Sequence, residues 1–150
     1  METTNEIIDQ LQELITIVND GKEGYQSASN AVEKPALKAE FLKFAAERAM
    51  YADELKAHLY KHGVTSSNEN GGVLGFLHRT WIDFKKVLSS NDEVAILSAI
   101  ETGEKVALEH YEKCMANTTH EDELYLLKRQ RDGILNALKE IEVLHLALVK

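Results

Sequence analysis

Proline occurs once in this 150-residue chain, at position 35, and glycine only eight times. So few breakers leave little room for the frequent turns of a sandwich or barrel, and long helical segments are what remains. The first begins with Thr3-x-x-Glu6, a capping box in which hydroxyl and carboxylate each satisfy a free N–H. Its apolar residues Ile7, Leu11, Leu14, Val18, Tyr25, Ala28 and Val32 recur at helical spacing. Gly21 and Gly24 interrupt that stripe and mark a close helix approach or a kink. Pro35 suits the first turn of a second helix, where its missing N–H is not needed. Leu37, Phe41, Phe44, Tyr51, Leu55 and Leu59 form the second stripe, and Gly63 stops it.

The turn between these two segments is short, which predicts an antiparallel hairpin. A polar connection over residues 65–72 leads to a shorter helix with Leu74, Leu77, Trp81, Phe84 and Leu88 on one face. Residues 89–92 break it, and Ser90-x-x-Glu93 offers the next capping box. A helix carrying Leu97, Ile100, Ala107, Leu108, Tyr111 and Met115 follows, and then a turn capped by Thr118-x-x-Glu121. The last helix runs through Leu124, Leu127, Ile134, Leu138, Ile141 and Leu148. At 1.5 Å per residue the short helix spans roughly 25 Å, enough to carry the chain from one end of a bundle to the other. The expected fold is therefore all-α: a single domain over residues 1–150, a ferritin-like four-helix bundle with an extra short helix in the crossover between the second and third long helices. An up-down bundle with a fifth helix packed outside is the competing topology.

Composition narrows the function classes. Seventeen Lys and Arg against 25 Asp and Glu leave a formal charge of -8, which opposes nucleic-acid binding. Hydrophobic residues at 44% suffice for a core. Cys114 is the single cysteine, so an intramolecular disulfide is ruled out and a reducing compartment fits. The opening METTNEIIDQ has neither a basic nor a long apolar stretch, so no signal peptide is expected; no membrane span is expected either. A cytoplasmic protein follows. There is no phosphate loop, nucleophile elbow or zinc spacing to support a hydrolase, kinase or dehydrogenase.

FLKFAAERAMYADEL (Phe41–Leu55), LHRTW (Leu77–Trp81), GEKVALEHY (Gly103–Tyr111) and KEGY (Lys22–Tyr25) resemble a bacterial family of small ferritin-like bundle proteins of uncharacterised function. More distantly, AAER and GE resemble the ligand stretches of rubrerythrin-like di-iron proteins. That likeness implies an iron or manganese centre drawing on Glu47, Glu101 and Glu104. Where the second long helix should supply a histidine the chain has Met50, a poor ligand for a hard metal. Glu142-x-x-His145 has the right spacing, but counting rises from the last turn sets His145 roughly 16 Å above Glu104. Asp20 and Glu23 should face water unless a kink at Gly21 or Gly24 turns them inward.

A different polar site emerges from the stripes. Glu104 falls between Ile100 and Leu108, and Arg48 between Phe44 and Tyr51, so both face the core at similar heights. A lone buried carboxylate costs several kcal/mol, and a guanidinium offers a bidentate partner that cannot be titrated away. The expected mid-bundle network is Glu104 and Arg48 with Gln130 or Arg131, extended by Glu47, Glu101, Tyr51 or Tyr111. Glu54-x-x-x-His58 reads as an exposed helix pair, His62 and His145 as packing or dipole partners, Trp81 as core beside His78, and Cys114 as a small hydrophobe. No cofactor is needed by this reading. The expected function is a non-catalytic bundle that forms a homo-oligomer or binds a partner; a di-metal oxidoreductase or metal-binding protein is the alternative.

Overall fold

The computed structural model describes the backbone of residues 4–64 and 75–149, with side chains over 6–64 and 82–149. Five helices follow one another: α1 (Thr4–Ala31), α2 (Pro35–Lys61), α3 (Gly75–Leu88), α4 (Glu93–Asn117) and α5 (Glu121–Val149). α1 is unbroken through Gly21 and Gly24. Pro35 is the first helical residue of α2. At its far end Gly63 adopts a left-handed φ of 79°, the conformation that ends a helix at least cost to glycine.

Two start signals sit elsewhere than the sequence suggests. Asp92, not Ser90, caps α4, its carboxylate accepting from the N–H groups of Val94 and Ala95. Ser90 Oγ instead donates back to Val87 O at 2.6 Å, closing the end of α3. Thr118 likewise donates its hydroxyl to the buried Glu123 rather than forming a box with Glu121, which is already the first residue of α5. A β-hydroxyl or carboxylate must stand immediately outside the first turn to reach its N–H groups, and the alternatives here differ by only two or three residues. The Thr3 box and the side chains of Leu74, Leu77, His78 and Trp81 lie outside the described residues.

Topology follows from which charges meet. Lys34 at the start of α2 lies 3.4 Å from Glu93 at the start of α4, so these two helices begin at the same end. Glu13 near the start of α1 meets His110 near the end of α4, and Glu101 near the start of α4 meets His145 near the end of α5. Each neighbouring pair is thus antiparallel, and α2 and α4 run parallel across the diagonal. That is the crossover topology and not the up-down one. α1 packs on both α2 and α4, α5 packs on α4 and more loosely on α2, and α3 lies across the α1/α4 face.

The core is two apolar clusters rather than one. The first gathers Leu11, Leu14, Val18, Leu55, Leu59, Tyr111 and Leu127 with their neighbours. The second gathers Tyr25, Phe41, Phe44, Ile96, Leu97 and Ile141. Arg48 and Glu104 sit between them, 2% and 4% exposed.

Candidate functional site

Arg48 and Glu104 project from the two diagonal helices, whose backbones make no close approach. Only long side chains can bridge that distance, and these two meet on the bundle axis. Arg48 Nη1 donates to Glu104 Oε1 at 2.7 Å, and Nη2 donates to Oε2, a bidentate fork. Tyr25, from α1, donates its hydroxyl to the same Oε2 at 2.7 Å, and its ring lies 5.4 Å from the guanidinium carbon. Burial opposes the guanidinium's charge, but the Glu104 carboxylate and its hydrogen bonds outweigh that and hold Arg48 charged. Burial, then Glu104, raises the Tyr25 hydroxyl well above its ordinary value, so it stays a donor.

Gly21 explains how the guanidinium fits. A Cβ at that position would stand 2.9 Å from Arg48 Nη1, so only glycine lets α1 lie this close to the pair. At Gly21 the apparent interruption of the first stripe is therefore a close approach.

A second polar group lies further along the axis. Gln130, fully buried, accepts from the Tyr111 hydroxyl at 2.7 Å. Its amide nitrogen donates to Tyr51 O at 3.2 Å and to Glu54 Oε1 at 3.0 Å. Arg129 closes the chain at the surface, 2.8 Å from Glu54. Gln130 thus belongs to a network of its own, not hydrogen-bonded to Arg48 or Glu104. Arg131 belongs to neither: its guanidinium turns out to Asp132 and Glu112. Successive residues on a helix point 100° apart, so Gln130 and Arg131 cannot share one inward direction.

The three carboxylates suggested for a metal do not converge. Glu104 is neutralised by Arg48. Glu101 accepts the His145 ring at 2.8 Å, and Glu47 is only partly buried, with burial raising its carboxyl. Met50 is 47% exposed and faces away from the axis. Among the described residues no group of three His, Cys, Asp or Glu is arranged to hold a metal ion. A guanidinium already occupies the position a cation would take, so this donor set does not fit an iron or manganese centre.

His145 meets Glu101, one turn N-terminal to Glu104 on α4, and makes no hydrogen bond to Glu104 itself. Side chains tilt toward the N-terminus of their own helix. In an antiparallel pair, Glu101 therefore leans up and His145 leans down, and the two meet despite the offset in rise.

Other candidates also find unforeseen partners. Glu54 joins Gln130 and Arg129, not His58. His58 is buried, edge-on to His62 at 5.6 Å, and His62 in turn lies 6.5 Å from His120. Burial, then His62, lowers the His58 imidazole below its usual range. Cys114 is buried in the first apolar cluster.

A cavity of about 330 Å³ opens between α1, α3 and α4, with Tyr25, Arg48 and Glu104 in its wall. Asp20 lines it too, contrary to the solvent-facing position expected. Burial, then Glu23, raises the Asp20 carboxyl to about 7. A wheel centred on the α1 stripe could not find this, because it locates one apolar face and α1 also presents its flank to α3.

With this geometry in place, residues 6–117 match the family described as Domain of unknown function (DUF2383). The chain belongs to that family. The match spans the whole site apart from α5: Tyr25, Arg48 and Glu104 all fall within the DUF2383 region, whereas Gln130 and His145 lie beyond it. No curated protein matches the chain. No described helix is long and apolar enough to cross a membrane.

Proposed function

We propose that this DUF2383 domain is a non-catalytic binding module, a helical bundle that self-associates and in which an arginine–glutamate pair stands where ferritin-like relatives keep a metal. The observation that carries this reading is the bidentate seat of Arg48 on Glu104 at the bundle waist. A carboxylate satisfied by a permanent cation and a tyrosine hydroxyl has neither the charge nor the geometry to bind iron or shuttle protons. The site is internal and its charges are mutually satisfied, which suits register rather than turnover.

Association finds support on the outside of α5. Val143, Leu146 and Val149 are 66%, 59% and 56% exposed, and they recur at intervals of three residues. Residues three apart share a helix face, and such a stripe favours burial against a second copy. A cytoplasmic setting fits the single cysteine.

The test has two arms. Protein expressed with added iron and manganese should carry far less than one metal per chain by elemental analysis. Sedimentation equilibrium should give a concentration-dependent dimer that the double variant Val143→Asp/Leu146→Asp converts to monomer. Stoichiometric metal would overturn the first half of the reading, and a monomer at all concentrations the second.

A further inference from the structure

The cavity between α1, α3 and α4 is unused by the reading above, and its chemistry is uneven. Its walls are mostly apolar or small: Ile17, Gly24, Phe84, Val87, Ile100 and Ala107 among them. At about 330 Å³ it falls at the small end of the roughly 300–1,000 Å³ typical of ligand pockets. Among the described residues of its wall, three carboxylates, Asp20, the exposed Asp83 and Glu104, stand against one guanidinium, Arg48. Arg48 and Glu104 cancel each other through their bidentate contact. What remains among the described residues, once pH exceeds the value of about 7 to which the Asp20 carboxyl is raised, is two negative charges, and no described basic side chain pairs with Asp20 or Asp83. Away from Arg48, whose guanidinium keeps N–H groups beyond the two given to Glu104, hydrogen-bonding capacity leans the same way. The Tyr25 hydroxyl spends its proton on Glu104 and shows the cavity only lone pairs, while Asp20 and Asp83 are acceptors when ionised. The occupant this wall would recognise therefore brings donors and positive charge at one end and apolar surface at the other.

We propose that the cavity is a binding site for a small organic ammonium ion, a primary amine on an apolar body, whose ammonium group sits at Asp20. The proposal is independent of self-association, because the cavity and the α5 stripe lie on different elements. An anion is disfavoured by the uncompensated carboxylates. A bare metal ion gains nothing from the apolar walls.

Gly103 gives a clean way to block the site. It lines the cavity, and an added Cβ there would meet nothing within 4 Å, so a larger side chain can enter the space without pressing on the ion pair. The experiment is calorimetric titration of the full chain at pH 8 with phenethylammonium, 3-phenylpropanol and 3-phenylpropanoate, which share a body and differ in charge. Phenethylammonium should bind saturably, at least about tenfold more tightly than the alcohol, with the carboxylate weakest. Asp20→Asn should weaken the ammonium about tenfold while leaving the alcohol unchanged. Gly103→Leu should abolish binding of both, with a cooperative melt by circular dichroism showing that the bundle is intact. Should Gly103→Leu fail to fold, the Asp20→Asn comparison decides alone, since it removes a charge and adds no bulk. No saturable binding of the ammonium, equal binding of the three compounds, or indifference of the ammonium to Asp20→Asn would each overturn the assignment.

Discussion

At the scale of single residues, the strongest constraint is that Glu104 and Arg48 are each tolerable in the core only because of the other. Glu104→Ala strands a buried guanidinium and should cost about 3–5 kcal/mol in denaturant melts. Glu101→Ala removes a partly exposed partner of His145 and should cost about 1 kcal/mol or less. Equal small losses for both would mean that Glu104 is solvated. Asp20 makes a prediction of opposite character. Its carboxyl is raised to about 7 in the native state against 3.8 unfolded, so between those values the native state holds a proton that the unfolded chain has released. Its contribution is fully present below pH 3.8 and fades as pH rises through 7. Asn mimics the protonated form, so the melting temperature of Asp20→Asn relative to the parent should climb from about pH 4 to about pH 7 and level off above it. A constant difference across that range would place Asp20 in water.

Among the helices, close approaches matter more than propensity. Gly133 lies within α5, where glycine normally costs about 1 kcal/mol relative to alanine. Yet a Cβ there would stand 1.8 Å from the Tyr51 hydroxyl and 3.0 Å from its ring, and the Tyr51 side chain is 5% exposed with little room to retreat. Gly133→Ala should therefore destabilise by about 1–3 kcal/mol despite its better propensity, measured by chemical denaturation. Stabilisation instead would show that Tyr51 is free to swing aside. Helix number, order and facing could be read from the sequence because periodicity and breakers are local properties. So could the inward placement of Arg48 and Glu104, each flanked by apolar residues one turn away. Tyr25 as a third member, Gly21 and Gly133 as clearances, and Asp20 on the cavity wall could not. Each depends on which helix lies against which flank, a relation between segments far apart in the chain. Of the two alternatives on α5, Gln130 turns inward, and Arg131, 100° further round the helix, therefore turns out to Asp132 and Glu112.

For the molecule as a whole, the axial ion pair divides the core into two apolar clusters, and this division bears on how the bundle chooses its register. Apolar side chains alone tolerate a slip of one turn between helices, since leucine packs on leucine about as well in either register. A slip that parts Arg48 from Glu104 leaves both charges buried in apolar surroundings, at several kcal/mol each. The pair thus penalises wrong registers more than it stabilises the right one. Replacing both partners separates the two effects. Arg48→Met/Glu104→Leu removes two desolvated charges and supplies apolar volume but takes the acceptor from the Tyr25 hydroxyl, so global stability should stay within about 2 kcal/mol of the parent. Uniqueness should suffer in exchange. Amide–nitrogen correlation spectra of the double variant should show broadened or duplicated resonances along α2 and α4, whereas either single variant should be destabilised without such doubling. A double variant that is stable and gives one sharp set of resonances would mean that packing of the two clusters already specifies the register.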